Sequence, residues 1–233
     1  MIENIYNKIQ NLEDAMEYMT DNMTLMCSGF GGVGTPPLLC DEIRKKNVKN
    51  ITLISNDAGF PNVGVGPLVC NGHVKQMITT HIGSNPFAGK LMNEGKMDVE
   101  FIPQGTFCEQ IRAGGVGLGG ILVDSGIDTI IGEGKKTVMV NKVEYMIAPA
   151  LRAKVGIIYA KKADPFGNLV YNKTARGNNP LIAMACDFTI VQVEEIVPLG
   201  SLNPEEIVTP GVFVDMIVTG KGGEWTWVWQ QEK

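Results

Sequence analysis

The chain has 233 residues and a formal net charge of −5 at pH 7, and 44% of its residues are hydrophobic. This length suits one large α/β domain or two small ones, each with a sizeable core. The acidic balance, with Arg44-Lys45-Lys46 as the longest basic run, argues against nucleic acid as a partner. The five cysteines are widely spaced among apolar residues, which is typical of reduced thiols and not of disulfides or a metal site.

The N-terminal residues lack the basic and then apolar pattern of a secretory signal, and no run reaches the roughly 18 apolar residues of a membrane helix. We therefore expect a cytoplasmic protein without a membrane partner. No repeat, low-complexity tract or linker divides the sequence. A single domain over residues 1–233 is predicted.

Strands alternate with helices through the first half of the chain. In order, the pattern predicts a helix capped by Asn11, a strand over 23–27, a helix over 36–46, strands over 51–54 and 74–81, a helix beginning at Asn85-Pro86, a strand over 98–102 and a helix after Gln104. Such alternation indicates a parallel sheet flanked by helices. The glycine-rich residues 114–120 are interpreted as a flexible connection over the site, with a plain turn as the alternative.

Paired strands follow in the second half. The predicted elements are a hairpin of strands 137–140 and 143–147 around Asn141-Lys142, strands 155–161 and 168–171 around the turn 164–167, a helix from Asn179-Pro180, and strands 188–193 and 212–218. The predicted fold is therefore α/β: a mainly parallel sheet flanked by helices, with an antiparallel β elaboration in the second half.

The central feature of the sequence is the stretch 23–37, in which an apolar run passes into four glycines and two prolines. The glycines that allow positive φ and close approach to a ligand are Gly29, Gly31, Gly32 and Gly34. Thr35 is predicted to cap a helix whose first residue is Pro36. Amides between a strand end and a helix N-terminus suit a carboxylate, a phosphate or an oxyanion. A tight structural turn is the alternative interpretation.

The same glycines match the dinucleotide fingerprint G-x-G-x-x-G, and Asp57 lies where a ribose-binding acid would be sought. In that fingerprint the third glycine already lies in the helix, whereas Pro36 and Pro37 follow Gly34 directly. The prolines would remove amide donors from the first helical turns. We therefore do not expect NAD or FAD, and no permanently bound cofactor is predicted.

Polar residues follow two further predicted parallel strands, in addition to the glycine loop after the first. Asn56 comes after the second strand and Gln104 after the fourth, so both are expected at the sheet edge that carries the glycine loop. Candidate nucleophiles are few. His73 and His81 are assigned structural or surface roles, and Glu133 between two glycines is interpreted as a turn residue, with a nucleophile as the alternative. No G-x-S-x-G elbow and no metal site are found, so the sequence predicts a binding edge without an obvious nucleophile.

Three tryptophans alternate near the C-terminus. In a strand, Trp225, Trp227 and Trp229 would share one face. An aromatic stripe of this kind indicates a subunit contact, with intramolecular core as the alternative.

Several motifs resemble one known family. Residues 28–36, preceded by Asp21-Asn22, are similar to the signature of the alpha (A) subunit of family I CoA-transferases, of the 3-oxoacid and acetate or butyrate–acetoacetate type. Further similar segments follow in the family's order over nearly the whole chain, at 103–106, 111–115, 162–171, 174–176, 193–196 and 204–211. The resemblance implies a CoA-transferase fold, which is related to the ribose-phosphate isomerase fold, and a hetero-oligomer of two alpha and two beta subunits.

The resemblance also implies a reaction. A glutamate of the beta subunit attacks an acyl-CoA thioester, and CoA, as a substrate, passes through a glutamyl-CoA intermediate to a short-chain carboxylate such as acetate or butyrate. In this chain Gly31 and Gly32 would supply amides, Phe30 an acyl contact, and Gln104 a donor to the reacting carbonyl oxygen. The predicted substrate-binding residues are Gly29, Phe30, Gly31, Gly32, Gly34, Asn56, Gln104 and Gly105. Two alternatives stay open: a stand-alone sugar-phosphate isomerase or deaminase, and a non-enzymatic ligand sensor.

Overall fold

The structure is a computed structural model that describes residues 2–220. Over that range the α-helices are α1 (Leu12–Glu17), α2 (Pro37–Lys46), α3 (Gly66–Cys70), α4 (Pro86–Asn93), α5 (Gln104–Gly115) and α6 (Asn179–Ala185). The strands are β1 (Thr24–Cys27), β2 (Ile51–Ser55), β3 (Val74–Thr79), β4 (Asp98–Phe101), β5 (Gly120–Val123), β6 (Thr137–Val140), β7 (Val143–Pro149), β8 (Ala153–Ala163), β9 (Leu169–Val170), β10 (Cys186–Ile196) and β11 (Met216–Thr219). Single 3₁₀ turns cover Lys173–Arg176, Pro204–Glu206 and Gly211–Phe213.

The main sheet has the strand order β11-β10-β8-β1-β2-β3-β4. All neighbours along this path are parallel, and β9 pairs antiparallel with the end of β8. From β1 the chain proceeds through β2, β3 and β4 on one side, and β8, β10 and β11 follow on the other. The reversal therefore lies between β1 and β8, which is where open α/β sheets bind their ligands.

The central strands are buried on both faces, which explains their continuous apolar runs. Leu25 and Ile157 belong to the core on the side of α1, α2 and α3, whereas their neighbours Met26 and Ile158 belong to the core beneath α5 and α6. Alternate side chains of a strand point to opposite faces, so consecutive apolar residues supply both cores. The predicted parallel sheet flanked by helices is confirmed.

A second, smaller sheet has the order β5-β7-β6 and is antiparallel. Asn141 and Lys142 join β6 to β7 with φ of 50° and 67°, as a two-residue type I′ hairpin requires. On β7, Met146 and Ala148 are buried, whereas Ile147 between them is exposed. This sheet and β9 form the antiparallel elaboration that the sequence predicts.

The capping of two helices shows one correct and one wrong prediction. Asn11 caps α1, because its Oδ1 accepts the backbone N–H of Asp14 at 2.8 Å. Thr35 does not cap α2, which begins at Pro37 without a capping side chain from its own N-terminus. A Cβ added to Gly29 would lie 1.9 Å from Thr35 Oγ1, so this hydroxyl packs back over the glycine loop. The N–H of Leu38 instead donates to Gln192 Oε1 of β10 at 2.9 Å.

Other differences concern short or glycine-containing elements. Helix α3 and strand β5 were not predicted, because proline and glycine interrupt their patterns. Strand β3 ends at Thr79, and the predicted strand 212–218 begins only at Met216 because a 3₁₀ turn precedes it. The residues 114–120 do not form a connection over the site. They end α5, turn and begin β5, about 18 Å along the helix from Gln104.

Trp225, Trp227 and Trp229 lie outside the described residues, so their assignment to an interface or a core stays a prediction. Among residues 2–220, no helix combines the length and the apolar character that a membrane crossing requires.

Candidate functional site

Loops that follow β1, β2 and β3 meet the first turn of α5 at the carboxyl edge of the main sheet. Together they enclose a cavity of about 330 Å³, lined by Phe30, Gly31, Asn56, Asp57, Phe60, Thr80, His81, Ser84 and Gln104. The convergence follows from the parallel topology, which brings the carboxyl ends of neighbouring strands to one edge. Aromatic rings and hydrogen-bonding groups therefore share one cavity.

The glycine loop after β1 forms a tight tip. Phe30 and Val33 exchange backbone hydrogen bonds of 3.0 and 3.1 Å around Gly31 and Gly32, whose φ angles are 56° and 95°. The Phe30 side chain is 68% exposed at this tip. The ring of Phe60 packs on Gly31, since a Cβ added there would lie 3.6 Å from the ring. Two phenyl rings thus border the cavity on a rigid turn.

Gly29 and Gly34 support the loop from behind and do not line the cavity. A Cβ on Gly34 would lie 2.4 Å from the carbonyl oxygen of Ala175, and that on Gly29 would collide with Thr35 as described above. The carbonyl of Gly34 also accepts a hydrogen bond of 3.0 Å from Asn179 Nδ2. These two predicted residues therefore position the tip by close packing.

Asp57 connects the glycine loop to the loop after β2. Its carboxylate accepts the N–H of Gly31 at 2.8 Å, the N–H of Gly59 at 2.8 Å and Nδ2 of Asn56 at 3.1 Å. The side chain is 8% exposed, and these three donors compensate its negative charge. The amide of Gly31, which was predicted as a ligand donor, is therefore bonded to Asp57. Gly32 keeps a backbone N–H without a partner in the described chain.

The same carboxylate determines which way the neighbouring amides point. A carboxylate can only accept, so the Asn56 side chain turns its Nδ2 to Asp57 and its Oδ1 to Gln104. Gln104 Nε2 donates to that Oδ1 at 2.6 Å, and Gln104 Oε1 faces the Thr80 hydroxyl at 3.1 Å. Hydrogen bonds on both sides thus fix the orientation of the Gln104 amide.

Gln104 still has a donor to offer. Of its two amide hydrogens one goes to Asn56, and within residues 2–220 the only further contact of Nε2 is with Cys108 Sγ at 3.6 Å, a weak acceptor. Gln104 and Gly105 open α5, whose first N–H groups have no partner within the helix. A Cβ on Gly105 would meet no atom within 4 Å, so a ligand has room above this turn. The partial positive charge of the helix N-terminus favours an anion at this position.

The structure brings Phe30, Gly31, Asn56 and Gln104 to the cavity wall and places Gly32 and Gly105 beside it. Five further lining residues were not predicted as site residues: Asp57, Phe60, Thr80, His81 and Ser84. Thr80 and His81 directly follow β3, so the argument used for Asn56 and Gln104 could have found them. His81, for which a structural or surface role was expected, is exposed and also borders the cavity.

The remaining nucleophile candidates lie elsewhere. His73 is buried with its Nδ1 2.8 Å from the Val48 carbonyl oxygen, and burial lowers the pKa of its imidazole. Glu133 lies between β5 and β6 in a turn closed by the Lys135 N–H and the Gly132 carbonyl, and it does not border the cavity. Asp57 is the one carboxylate among the cavity-lining residues of the described chain, and both of its oxygens are hydrogen-bonded.

Comparison with known proteins gives consistent results. A sequence profile of the family described as coenzyme A transferase matches residues 9–220. A Bacillus subtilis (strain 168) protein named probable coenzyme A transferase subunit alpha is 50% identical over 226 residues, which cover 97% of this chain and 99% of that protein. The Clostridium acetobutylicum (strain ATCC 824) acetoacetyl-CoA:acetate/butyrate CoA transferase alpha subunit is 42% identical over 212 residues, covering 91% and 97% respectively.

The fold is also found in a solved structure. An acyl-CoA transferase from E. coli O157:H7, in a thioester complex with CoA, has a TM-score of 0.80 to this chain at 24% identity. The match covers 91% of this chain and 49% of the other, so the chain spans about half the length of that enzyme. The resemblance noted in the sequence is confirmed: the chain belongs to the coenzyme A transferase family, as a subunit of the alpha type.

Proposed function

We propose that this chain and a beta subunit together transfer CoA between a short-chain acyl-CoA, such as acetoacetyl-CoA, and a free carboxylate, such as acetate or butyrate. The observation that carries the proposal is a cavity with oriented hydrogen-bond donors and aromatic walls but no unengaged carboxylate of its own. The substrates in the name of the Clostridium relative support this choice of acyl groups.

The proposed reaction proceeds through a glutamate of the beta subunit. Its carboxylate attacks the thioester carbonyl, the C–S bond breaks, and an acyl-glutamyl anhydride and CoA thiolate form. The thiolate then attacks the glutamyl carbonyl, which gives a glutamyl-CoA thioester and releases the first carboxylate. An acceptor carboxylate reverses both steps and leaves as the new acyl-CoA. Each addition converts a carbonyl oxygen into an oxyanion, which needs a positioned donor.

In this scheme Gln104 supplies its second Nε2 hydrogen to the developing oxyanion. The hydrogen bond from Gln104 to Asn56 holds the amide in place before the substrate arrives, so little reorganisation is required. The N–H groups of Gly32 and Gly105 are further donors for carboxylate or carbonyl oxygens. Phe30 and Phe60 provide the apolar wall for a short acyl chain. The active assembly is proposed to contain two alpha and two beta chains.

The test is partner dependence. The purified chain alone is expected to show no transfer from acetoacetyl-CoA to acetate or butyrate, and addition of its beta subunit is expected to restore it. Transfer by this chain alone would contradict the division of labour. Turnover of a phosphosugar by the chain alone would support the isomerase or deaminase alternative, and specific ligand binding with no turnover in the complex would support the sensor.

Trapping locates the nucleophile in the same complex. Incubation with acyl-CoA followed by borohydride reduction of the thioester is expected to modify a beta-subunit glutamate and to leave Glu133 unmodified. Reduced product on Glu133 would move the covalent step into this chain. A Glu133→Gln variant is the matched control and is expected to keep full activity.

A further inference from the structure

The imidazole of His81 keeps its hydrogen-bonding groups available to a ligand. His81 borders the cavity and is exposed, and neither of its ring nitrogens has a hydrogen-bond partner within residues 2–220. The hydroxyls of Thr80 and Ser84 donate instead to backbone carbonyl groups, at 2.8 and 2.9 Å. An imidazole carries at least one N–H in either neutral tautomer and in the cation. Among the described residues, His81 and Gln104 are therefore the exposed lining side chains that retain a donor for a ligand.

Two neighbouring segments hold this imidazole at the cavity wall. The His81 carbonyl accepts the N–H of Ala58 at 3.1 Å, which connects the residue to the loop after β2. A Cβ added to Gly83 would lie 2.8 Å from Cε1 and 3.3 Å from Nε2 of the ring, so the ring packs directly on the Gly83 backbone. The φ of Gly83 is not positive, so the contact with the ring, and not the backbone conformation, requires glycine there. The donor therefore has a defined position before a ligand binds.

The cavity has the width needed for a ligand that contacts both donors. A sphere of 330 Å³ is about 9 Å across. Two hydrogen bonds of about 3 Å each, together with the roughly 3–5 Å between the two oxygens of a 1,3-dicarbonyl group, span about 9–11 Å. A 3-oxoacyl group can therefore place its reacting carbonyl oxygen at Gln104 and its 3-oxo oxygen at His81.

The charge beside His81 favours a neutral oxygen over a carboxylate at that position. Asp57 forms an isolated parallel bridge with His81, so the two residues are neighbours across the sheet edge. The Asp57 carboxylate borders the same cavity and, within residues 2–220, is hydrogen-bonded only to neutral amides. The distal carboxylate of a dicarboxylic acyl group would bring a second negative charge close to it, which is unfavourable. A ketone oxygen accepts the His81 donor without that repulsion.

We propose that His81 is a specificity-determining residue, whose imidazole donates a hydrogen bond to the 3-oxo oxygen of a 3-oxoacyl group. The inference rests on the proposed function, because Gln104 is assigned there to the reacting carbonyl oxygen. Gly83 acts as a positioning residue, since its missing side chain leaves the space that the imidazole occupies. A saturated acyl group of the same length has no acceptor for His81, so this residue distinguishes the two classes of acyl-CoA.

The experiment measures the binding of two thioethers of CoA that cannot be transferred. S-(3-oxobutyl)-CoA and S-butyl-CoA have the same four-carbon chain and differ only in the ketone, and neither has a thioester carbonyl for Gln104. Their dissociation constants are measured with the full-length chain in complex with its beta subunit. His81→Phe keeps an aromatic ring but removes the donor. This variant is expected to weaken the binding of S-(3-oxobutyl)-CoA at least about fivefold more than that of S-butyl-CoA.

Further variants separate the donor from the shape of the residue. His81→Gln and His81→Asn each retain an amide N–H, close to the positions of Nε2 and Nδ1 respectively. At least one of them is expected to bind S-(3-oxobutyl)-CoA within about twofold of the parent complex. Gly83→Ala keeps the imidazole but displaces it from its place on the backbone, so the same selective loss is expected. It also serves if His81→Phe fails to fold.

Equal weakening of both thioethers in His81→Phe would overturn the assignment, because it would place His81 against the CoA portion or in the framework. Unchanged binding of both in His81→Phe and Gly83→Ala, or no measurable binding by the parent complex, would overturn it as well. A selective loss in a complex without transferase activity would count against the proposed function alone. An active transferase without a selective loss would count against the role of His81 alone.

Discussion

Replacement of Gln104 by alanine is expected to slow turnover while leaving the fold and the assembly intact. The variant removes the Nε2 donor and the two hydrogen bonds that orient it, 2.6 Å to Asn56 and 3.1 Å from Thr80. Gln104 is exposed, so these bonds contribute only about 0.5–1.5 kcal/mol each to stability. Loss of one preorganised oxyanion donor typically lowers kcat by about 10²–10³-fold. We expect at least a tenfold decrease as a cautious lower bound.

The assay is steady-state transfer from acetoacetyl-CoA to acetate by the assembled enzyme, with kcat and KM determined separately. A lower kcat at a similar KM is the sign of an interaction made in the transition state, whereas a higher KM alone would indicate a ground-state contact. Glu109→Ala is the matched control, since Glu109 lies on the same helix, pairs with Arg112 at 2.7 Å and does not border the cavity. A kcat near that of the parent enzyme in Gln104→Ala would show that Gln104 only begins a helix and that the oxyanion site lies elsewhere.

Two further predictions concern the loops that hold the site. The two carboxylate oxygens of Asp57 together accept three N–H donors, and Asp57→Asn replaces one of these oxygens with an amide group that donates. The variant therefore loses at least one charge-assisted hydrogen bond, which costs about 1.5–3 kcal/mol of stability. The Tm of Asp57→Asn should fall by about 3–12 °C in thermal unfolding. Asp98→Asn, at an exposed position, is the control. An unchanged Tm in Asp57→Asn would mean that the hydrogen bonds of Asp57 do not stabilise the fold. Gly34→Ala should lose about 1–3 kcal/mol, because φ is +83° and the new Cβ would lie 2.4 Å from the Ala175 carbonyl oxygen. Gly105→Ala, whose Cβ meets no atom within 4 Å, should unfold like the parent chain; equal stability of all three proteins would contradict the packing argument.

The sequence was sufficient where the chemistry is local. Alternating apolar runs predicted the parallel sheet, Asn11 predicted its own helix cap, and Asn141-Lys142 predicted the hairpin, because each signal lies within a few residues of its effect. The same strand-end argument brought Asn56 and Gln104 to one edge. Periodicity and turn chemistry therefore predicted the framework of the site.

Contacts between distant residues could not be predicted in this way. The side chain that accepts an N–H of the first turn of α2 is Gln192, 154 residues beyond Leu38. Thr35 does not cap the helix, because its hydroxyl packs against Gly29. The Gly31 N–H, which the glycine motif predicted as a ligand donor, instead donates to the carboxylate of Asp57, 26 residues further along the chain. Such exchanges depend on how loops approach one another across the sheet edge, and short motifs carry no information about that approach.

The network around Asp57 offers a physical reason for the proposed division of labour, in which a partner chain supplies the nucleophile. Thioester, anhydride and carboxylate groups are all hydrogen-bond acceptors, and the cavity meets them with donors from Gln104 and the backbone. A second carboxylate tethered in this chain beside those donors would accept their hydrogen bonds in the absence of substrate, as Asp57 already does with Gly31 and Asn56. A carboxylate supplied by a partner, as proposed above, would enter a site whose donors are already oriented. In that arrangement the catalytic centre would be completed by assembly and substrate binding, after this chain has folded.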